Sequence, residues 1–194
     1  MEFFRPIHWH EGMLLRPEHF QWQDRRTEAA TSYLFSVLNP FPWGVVDYTV
    51  DRDALQAGRF ELEALTVVFP DGALARHPGN AAVETRPIEE FMPQTGRALP
   101  VYVGLRPFKP SENNVMSPHD PDRPKQARFS VREAAEETYD LFASQKTAPV
   151  DFLYYDLRIF FGSEKDNAAD WSLIKIAEVI RTEKGAGLNP NYIP

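Results

Sequence analysis

The sequence predicts a mainly β protein: an antiparallel β-sandwich with an N-terminal arm and one helix. Three observations carry that expectation. Short runs alternate apolar and polar residues with the period of a half-buried strand. The clearest is Tyr154–Phe161, where Tyr155, Leu157, Ile159 and Phe161 share one face and Asp156 and Arg158 the other. Seventeen prolines keep elements short and loops stiff, because proline is excluded from helix interiors and central strands. No repeating strand–helix–strand rhythm is present, which argues against a parallel nucleotide-binding sheet.

Residues 1–16 mix aromatic and polar side chains and read as an extended arm or an edge strand. Pro17 suits the first turn of a helix, and Glu18 suits the positive end of its dipole. No Pro or Gly follows until Asn39-Pro40, which ends the helix. Within 17–38, Trp22, Arg26, Ala29, Tyr33 and Val37 recur at near-helical spacing, flanked by Ala30, Leu34 and Leu38. The stretch 23–28 is polar all round and is not expected to meet the core.

From Trp43 the signals turn to β. Residues 43–51 form a first strand candidate. Residues 59–69 alternate at Phe60, Leu62 and Ala64, then at Val67 and Phe69, so a bulge is expected at Leu65 and Thr66. Pro70-Asp71-Gly72 is a turn signal. A weak strand is expected over 81–86, and a firmer one over 99–105 with Val101 and Val103 on one face. Residues 106–128 carry five prolines and read as a long loop. Residues 129–142 suit a strand, with a short helix as the competitor, and 172–181 present the same choice. The total is about seven to nine strands. One domain is expected over 1–183, with 184–194 opening a linker.

Composition excludes several functions. The net charge is −7 and the pI about 5.3, with no basic patch to neutralise phosphates. Nucleic acid is therefore not an expected partner, and an anionic membrane would repel the chain. There are no cysteines, which removes disulfides, thiolate catalysis and Cys-ligated zinc. No run approaches the length of a membrane-spanning helix, and the N-terminus lacks a secretory pattern. No phosphate-binding glycine loop or G-x-S-x-G elbow occurs.

Few groupings invite chemistry. His8, His10 and Glu11 with His19 could hold zinc and activate water, but the spacing is not H-E-x-x-H. Packing and hydrogen bonding at an interface is the simpler reading. Asp71-Gly72 and the group His119, Asp120 and Asp122 lack the EF-hand pattern. Glu61 with Glu63, Glu89 with Glu90, and Glu136 with Glu137 are carboxylate pairs of the kind acid–base chemistry uses; Glu61 and Glu63 lie opposite the apolar face of their strand and read as solvated. No catalytic residue, metal, cofactor or small-molecule substrate is expected. The segment from Trp9 to Gln21 is different. It crowds Trp, Met, Leu and Phe into a stretch too short to form its own core, so these side chains must be buried against a partner or against their own domain.

That segment, WHEGMLLRPEHFQWQDR, resembles the N-terminal signature of the TssK family (also ImpJ or VasE) of type VI secretion baseplate subunits, roughly W-x-E-G-[MF]-x-L-x-P-Q-H-F-Q-x-x-D-R. The match falls at Trp9, Glu11, Gly12, Met13, Leu15, Pro17, His19, Phe20, Gln21, Asp24 and Arg25, with Glu18 where Gln is usual. Pro42-Trp43-Gly44-Val45, Leu55-x-x-Gly58, Phe69-Pro70-Asp71-Gly72 and Val101-Tyr102-Val103 echo the family in order, as does the close from Leu188 to Pro194. The resemblance implies a homotrimeric cytoplasmic adaptor without enzymatic activity. Its N-terminal β-sandwich, similar to the shoulder of phage receptor-binding proteins, would dock on baseplate wedge proteins of TssF/TssG type. Middle and C-terminal parts would trimerise and meet the membrane complex. This chain would be the N-terminal part. The expected interaction residues are Trp9, Glu11, Gly12, Met13, Leu15, Pro17, His19 and Phe20. Among them Trp9, Met13, Leu15 and Phe20 are the anchors, Gly12 makes the turn, and Glu11 and His19 supply hydrogen bonds. The alternative is a carbohydrate- or surface-binding sandwich of phage-adhesin type, which would expose Trp and Tyr on one sheet face.

Overall fold

A computed structural model describes residues 5–94, 96–143, 145–183 and 185–194. The first four residues of the expected arm, and Lys184 at the expected linker start, lie outside the described residues. In chain order the elements are α1 (Pro17–Leu38), β1 (Gly44–Val50), α2 (Arg52–Gln56), β2 (Arg59–Phe60), β3 (Leu62–Val68), β4 (Leu74–His77), β5 (Ala81–Val83), β6 (Arg86–Pro87) and β7 (Leu99–Leu105). There follow β8 (Val115–Met116), β9 (Phe129–Ser130), β10 (Glu136–Tyr139), β11 (Thr147–Val150), β12 (Tyr154–Phe161), β13 (Ser172–Thr182) and β14 (Gly185–Leu188). Short 3₁₀ segments lie at Glu89–Phe91 and Gly162–Asn167.

Two sheets share one core. The smaller is three-stranded, in the order β1-β3-β4. The larger runs β14-β13-β7-β12-β9-β8, with β5 pairing alongside β12. Most pairs are antiparallel; β5 with β12 and β8 with β9 are parallel. Leu65 and Val67 from the small sheet, with Phe69 just past the end of β3, pack with Val101, Val103, Ile159, Phe161, Ile174 and Ile176 from the large one. Phe60 and Phe161 meet edge-on, with centroids 6.1 Å apart, in the arrangement that ring quadrupoles favour. The chain is thus mainly β, as its alternation predicts.

The differences from the sequence reading are local. The phase break in β3 lies earlier than expected. Thr49 pairs with Ala64 but Val50 with Leu62, so Glu63 is the extra residue, and burial passes from Leu62 to Leu65 rather than through Ala64. The run 81–86 divides into β5 and β6, and 129–142 into β9 and β10, with no helix. β13 is a strand because it pairs with β7 on one side and β14 on the other, and its Ile and Val side chains suit that surface. A register shift between Lys175 and Ala177 lets the adjacent Ile176 and Ala177 both be buried. Helix α2 was not anticipated. It is five residues long, too short for a periodic signal, and depends on a cap: Asp51 Oδ1 accepts from the N–H groups of Asp53 (2.8 Å) and Ala54 (2.9 Å).

Loop 106–128 is an ordered excursion that includes β8. Asn114 acts as its clasp, accepting from Lys109 N–H (2.9 Å) and donating to the carbonyls of Lys109 (2.7 Å) and Glu112 (2.9 Å). Within 184–194, Gly185–Leu188 pair with β13 as the edge strand β14, and the Tyr192 hydroxyl donates to the Lys175 carbonyl (3.1 Å).

Candidate docking surface

The arm reaches α1 through a junction built from polar contacts. Arg16 is extended and caps the helix. Its N–H donates to His19 Nδ1 (3.0 Å), and the His19 N–H donates back to the Arg16 carbonyl (3.1 Å). This is one half of a capping box, with an imidazole in place of the usual carboxylate and the backbone carbonyl of Arg16 taking the part of an N-cap side chain. Gly12 adopts φ +79°, the left-handed region that disfavours a side chain, at the Glu11–Gly12 turn. Met13 N–H closes that turn on the His10 carbonyl (3.4 Å). Further back, Trp22 Nε1 donates to the Arg5 carbonyl (3.2 Å).

The expected anchors do not share one environment. Trp9, Leu15 and Phe20 are each about half exposed, at 49%, 55% and 54%, while Met13 is partly buried. Glu11, Gly12 and Pro17 lie at the surface and His19 is partly buried. Trp9 and His19 come together, with ring centroids 6.0 Å apart, as do His8 and His10 at 5.6 Å. The Glu11 carbonyl accepts from His10 Nδ1 (3.1 Å). Since His19 Nδ1 already faces the Arg16 amide, only its Nε2 is left for another partner. Among the described residues no three His, Asp or Glu side chains gather as metal ligands would.

Helix α1 leans on the body through the stretch that the sequence marked as polar. The Arg25 guanidinium sits 4.3 Å from the centroid of Phe108 and 5.9 Å from Phe129, and pairs with Glu28 at 2.9 Å. Ser32 Oγ donates to the Asp71 carbonyl (3.4 Å). Gln23, Arg25, Arg26, Ala29, Ala30 and Ser32 are partly buried, and among the described residues of α1 none is fully buried. Cation–π contact explains why a charged face can lie against the fold: guanidinium planes stack on ring faces without being fully dehydrated. The apolar end of the helix does the reverse. Leu34, Phe35, Val37 and Leu38 are exposed, Leu38 to 81%, and Phe41 just beyond is 77% exposed. Sequence periodicity could mark these residues as one stripe but not which end of it faces the body. Exposed Trp9 lies in the arm, Tyr33 on α1, Trp43 just before β1 and Tyr139 on β10, not together on one sheet face as the adhesin alternative requires.

Beneath the helix, Arg128 is only 3% exposed. It pairs with Asp71 (2.8 Å), donates to the Arg106 carbonyl (2.7 Å) and lies over Tyr155 at 5.4 Å. Burial, and then the negative charge of Glu28, raise the Tyr155 pKa. Burial also pushes the Asp156 carboxyl up to about 6, with nearby Glu84 adding to the effect and Arg158 opposing it. Elsewhere, Glu164 accepts two hydrogen bonds from Arg86 (2.8 and 3.0 Å) and one from Phe161 N–H (2.8 Å). Burial works against its charge, yet these donors hold its carboxyl below the ordinary range.

Comparison with known proteins gives a consistent picture. The chain is 25% identical over 196 residues to the type VI secretion system baseplate component TssK1 of Pseudomonas aeruginosa, covering all of this chain and 42% of that protein. It therefore spans less than half the length of that relative. A chain of a cryo-electron microscopy structure of a TssK-TssF-TssG baseplate subcomplex superposes with a TM-score of 0.84 at 22% identity, covering 100% of this chain and 62% of that one. A crystal structure of TssK superposes with a TM-score of 0.77, also at 22% identity, covering 98% and 42%. Residues 19–194 match the family described as bacterial type VI secretion, VC_A0110, EvfL, ImpJ, VasE, and the chain belongs to that family.

Proposed function

We propose that this chain is the N-terminal, non-enzymatic docking part of a type VI secretion baseplate subunit, and that it grips wedge proteins of TssF/TssG type. The observation that carries this reading is the exposure of large apolar side chains along the arm and the free end of α1, from Trp9 and Phe20 to Leu38 and Phe41. Apolar surface of this kind on an acidic soluble domain marks a contact with another protein. The match to TssK1, and the superposition on a chain of a TssK-TssF-TssG baseplate subcomplex, support the partner class. Trp9, Met13, Leu15 and Phe20 act as anchors; Gly12 sets the turn, and Glu11, Pro17 and His19 fix the arm on the helix. The complete subunit works as a homotrimer at the cytoplasmic face of the inner membrane, and reaches the membrane complex through parts beyond this chain.

The test is a binding titration of the chain against a purified TssF–TssG pair. Trp9→Ala with Phe20→Ala is expected to weaken binding by about 2 kcal/mol, roughly thirtyfold, with an unchanged melting temperature. Wild-type affinity in that variant would defeat the anchoring role. Failure of the unsubstituted chain to bind the pair would defeat the wedge assignment.

A further inference from the structure

The hairpin β10–β11 forms a separate two-stranded sheet, pairing Glu136 with Val150 through to Tyr139 with Thr147. At its tip Leu141 is 91% exposed and Phe142 99%. Large side chains so completely in water are costly unless something covers them in the working state. Hydrogen bonds also tie together the described residues of the tip. The Asp140 carboxylate accepts from the N–H groups of Phe142 (2.9 Å) and Ala143 (3.0 Å). Asp140 N–H donates to the Lys146 carbonyl (2.8 Å), and Lys146 N–H to that of Ala143 (2.9 Å). At the root, the Glu136 carboxylate accepts from the Tyr154 hydroxyl and pairs with Arg132 (3.0 Å), whose guanidinium lies 4.2 Å from the Tyr154 ring centroid. Phe152 and Leu153, at the base, are also exposed.

An apolar knob whose flanking residues are already hydrogen-bonded has less order to gain on binding, so it suits insertion into a matching cavity. Its surroundings specify the cavity. Between Arg132 and Asp151 the chain carries the carboxylates of Glu133, Glu136, Glu137, Asp140 and Asp151, against only Arg132 and Lys146. An acidic collar is repelled by anionic lipid and attracted to a basic rim.

We infer that the hairpin tip is a second anchor, with Leu141 and Phe142 entering an apolar pocket with a basic rim on a wedge protein. This rests on the wedge-docking reading above and adds a contact remote in sequence from the arm. The test uses the full chain against an immobilised TssF–TssG pair at low and high salt. The double variant Leu141→Ser with Phe142→Ser is expected to raise Kd at least about tenfold, mostly through faster dissociation. The double variant Glu133→Lys with Glu137→Lys is expected to slow association several-fold at low salt and to flatten its salt dependence. Circular dichroism melting checks that both fold. Wild-type Kd in the tip variant, with the unsubstituted chain binding normally, overturns the inference and leaves the docking proposal standing. Loss of binding by the unsubstituted chain removes both. Binding of the chain to phosphatidylethanolamine–phosphatidylglycerol vesicles that the tip variant abolishes would also overturn it, in favour of a membrane contact.

Discussion

The Oδ2 of Asp71 lies 2.8 Å from Nη1 of Arg128, and this pair joins three distant parts of the chain. Arg128 closes the proline-rich loop and donates to the Arg106 carbonyl at the loop's other end (2.7 Å). Asp71 belongs to the turn between β3 and β4, and its own carbonyl accepts from Ser32 of α1 (3.4 Å). Asp71→Ala leaves a buried guanidinium without its counter-charge and is expected to cost about 3 kcal/mol. Arg128→Met is expected to cost less, because the partly exposed Asp71 carboxylate can rehydrate. Urea denaturation of the two variants checks the order.

Gly72 governs how closely α1 approaches. It has φ +85°, and a Cβ there would overlap the Ser32 side chain. Gly72→Ala is expected to cost about 1–3 kcal/mol in backbone strain and to push the helix outward. Amide hydrogen exchange across α1 should accelerate while the core strands β7 and β12 remain protected.

Asp156 makes stability depend on pH in the less familiar direction. Its carboxyl is raised to about 6 in the folded protein, chiefly by burial, so the folded state holds a proton that the unfolded chain releases near 4. Stability from this group is complete below the unfolded value and falls as pH rises through 6. Asp156→Asn is expected to raise stability at pH 8 by about 1–2 kcal/mol, discounted for partial solvent access. Melting temperatures from pH 4 to 8 should fall less steeply in the variant.

Glu164 works in the opposite sense. Its pKa is lowered in spite of burial, through Arg86 and the Phe161 N–H, so its contribution is present above the unfolded value and lost as pH falls through the depressed folded value. Arg86 also donates to the Ile159 carbonyl (2.6 Å). Arg86→Ala is expected to cost about 2–4 kcal/mol at pH 7. The gap from wild type should narrow once the pH falls below the ordinary glutamate range, as read from paired melting curves.

Strands wide enough to show alternation were legible from the residues. In β12 the inward set Leu157, Ile159 and Phe161 can be written from the sequence, and α1 begins at Pro17 and ends at Leu38 as its punctuation requires. What stayed hidden has physical reasons. Glu63 became the bulge because pairing with β1 decided the register, and the partner strand is invisible to local periodicity. Helix α2 depends on a single Asp51 cap. At the candidate surface, the arm's apolar crowding was visible, but the exposed end of α1 was not. Arg25 reads as a solvated residue until Phe108 and Phe129, far away in sequence, are placed beneath it.

The way α1 is attached sets its thermal behaviour. A helix held in part by a stacked guanidinium and a hydroxyl bond, with none of its described residues fully buried, should detach with only a small change in heat capacity. Its hold on the sandwich would then loosen as a separate local event, before the core melts.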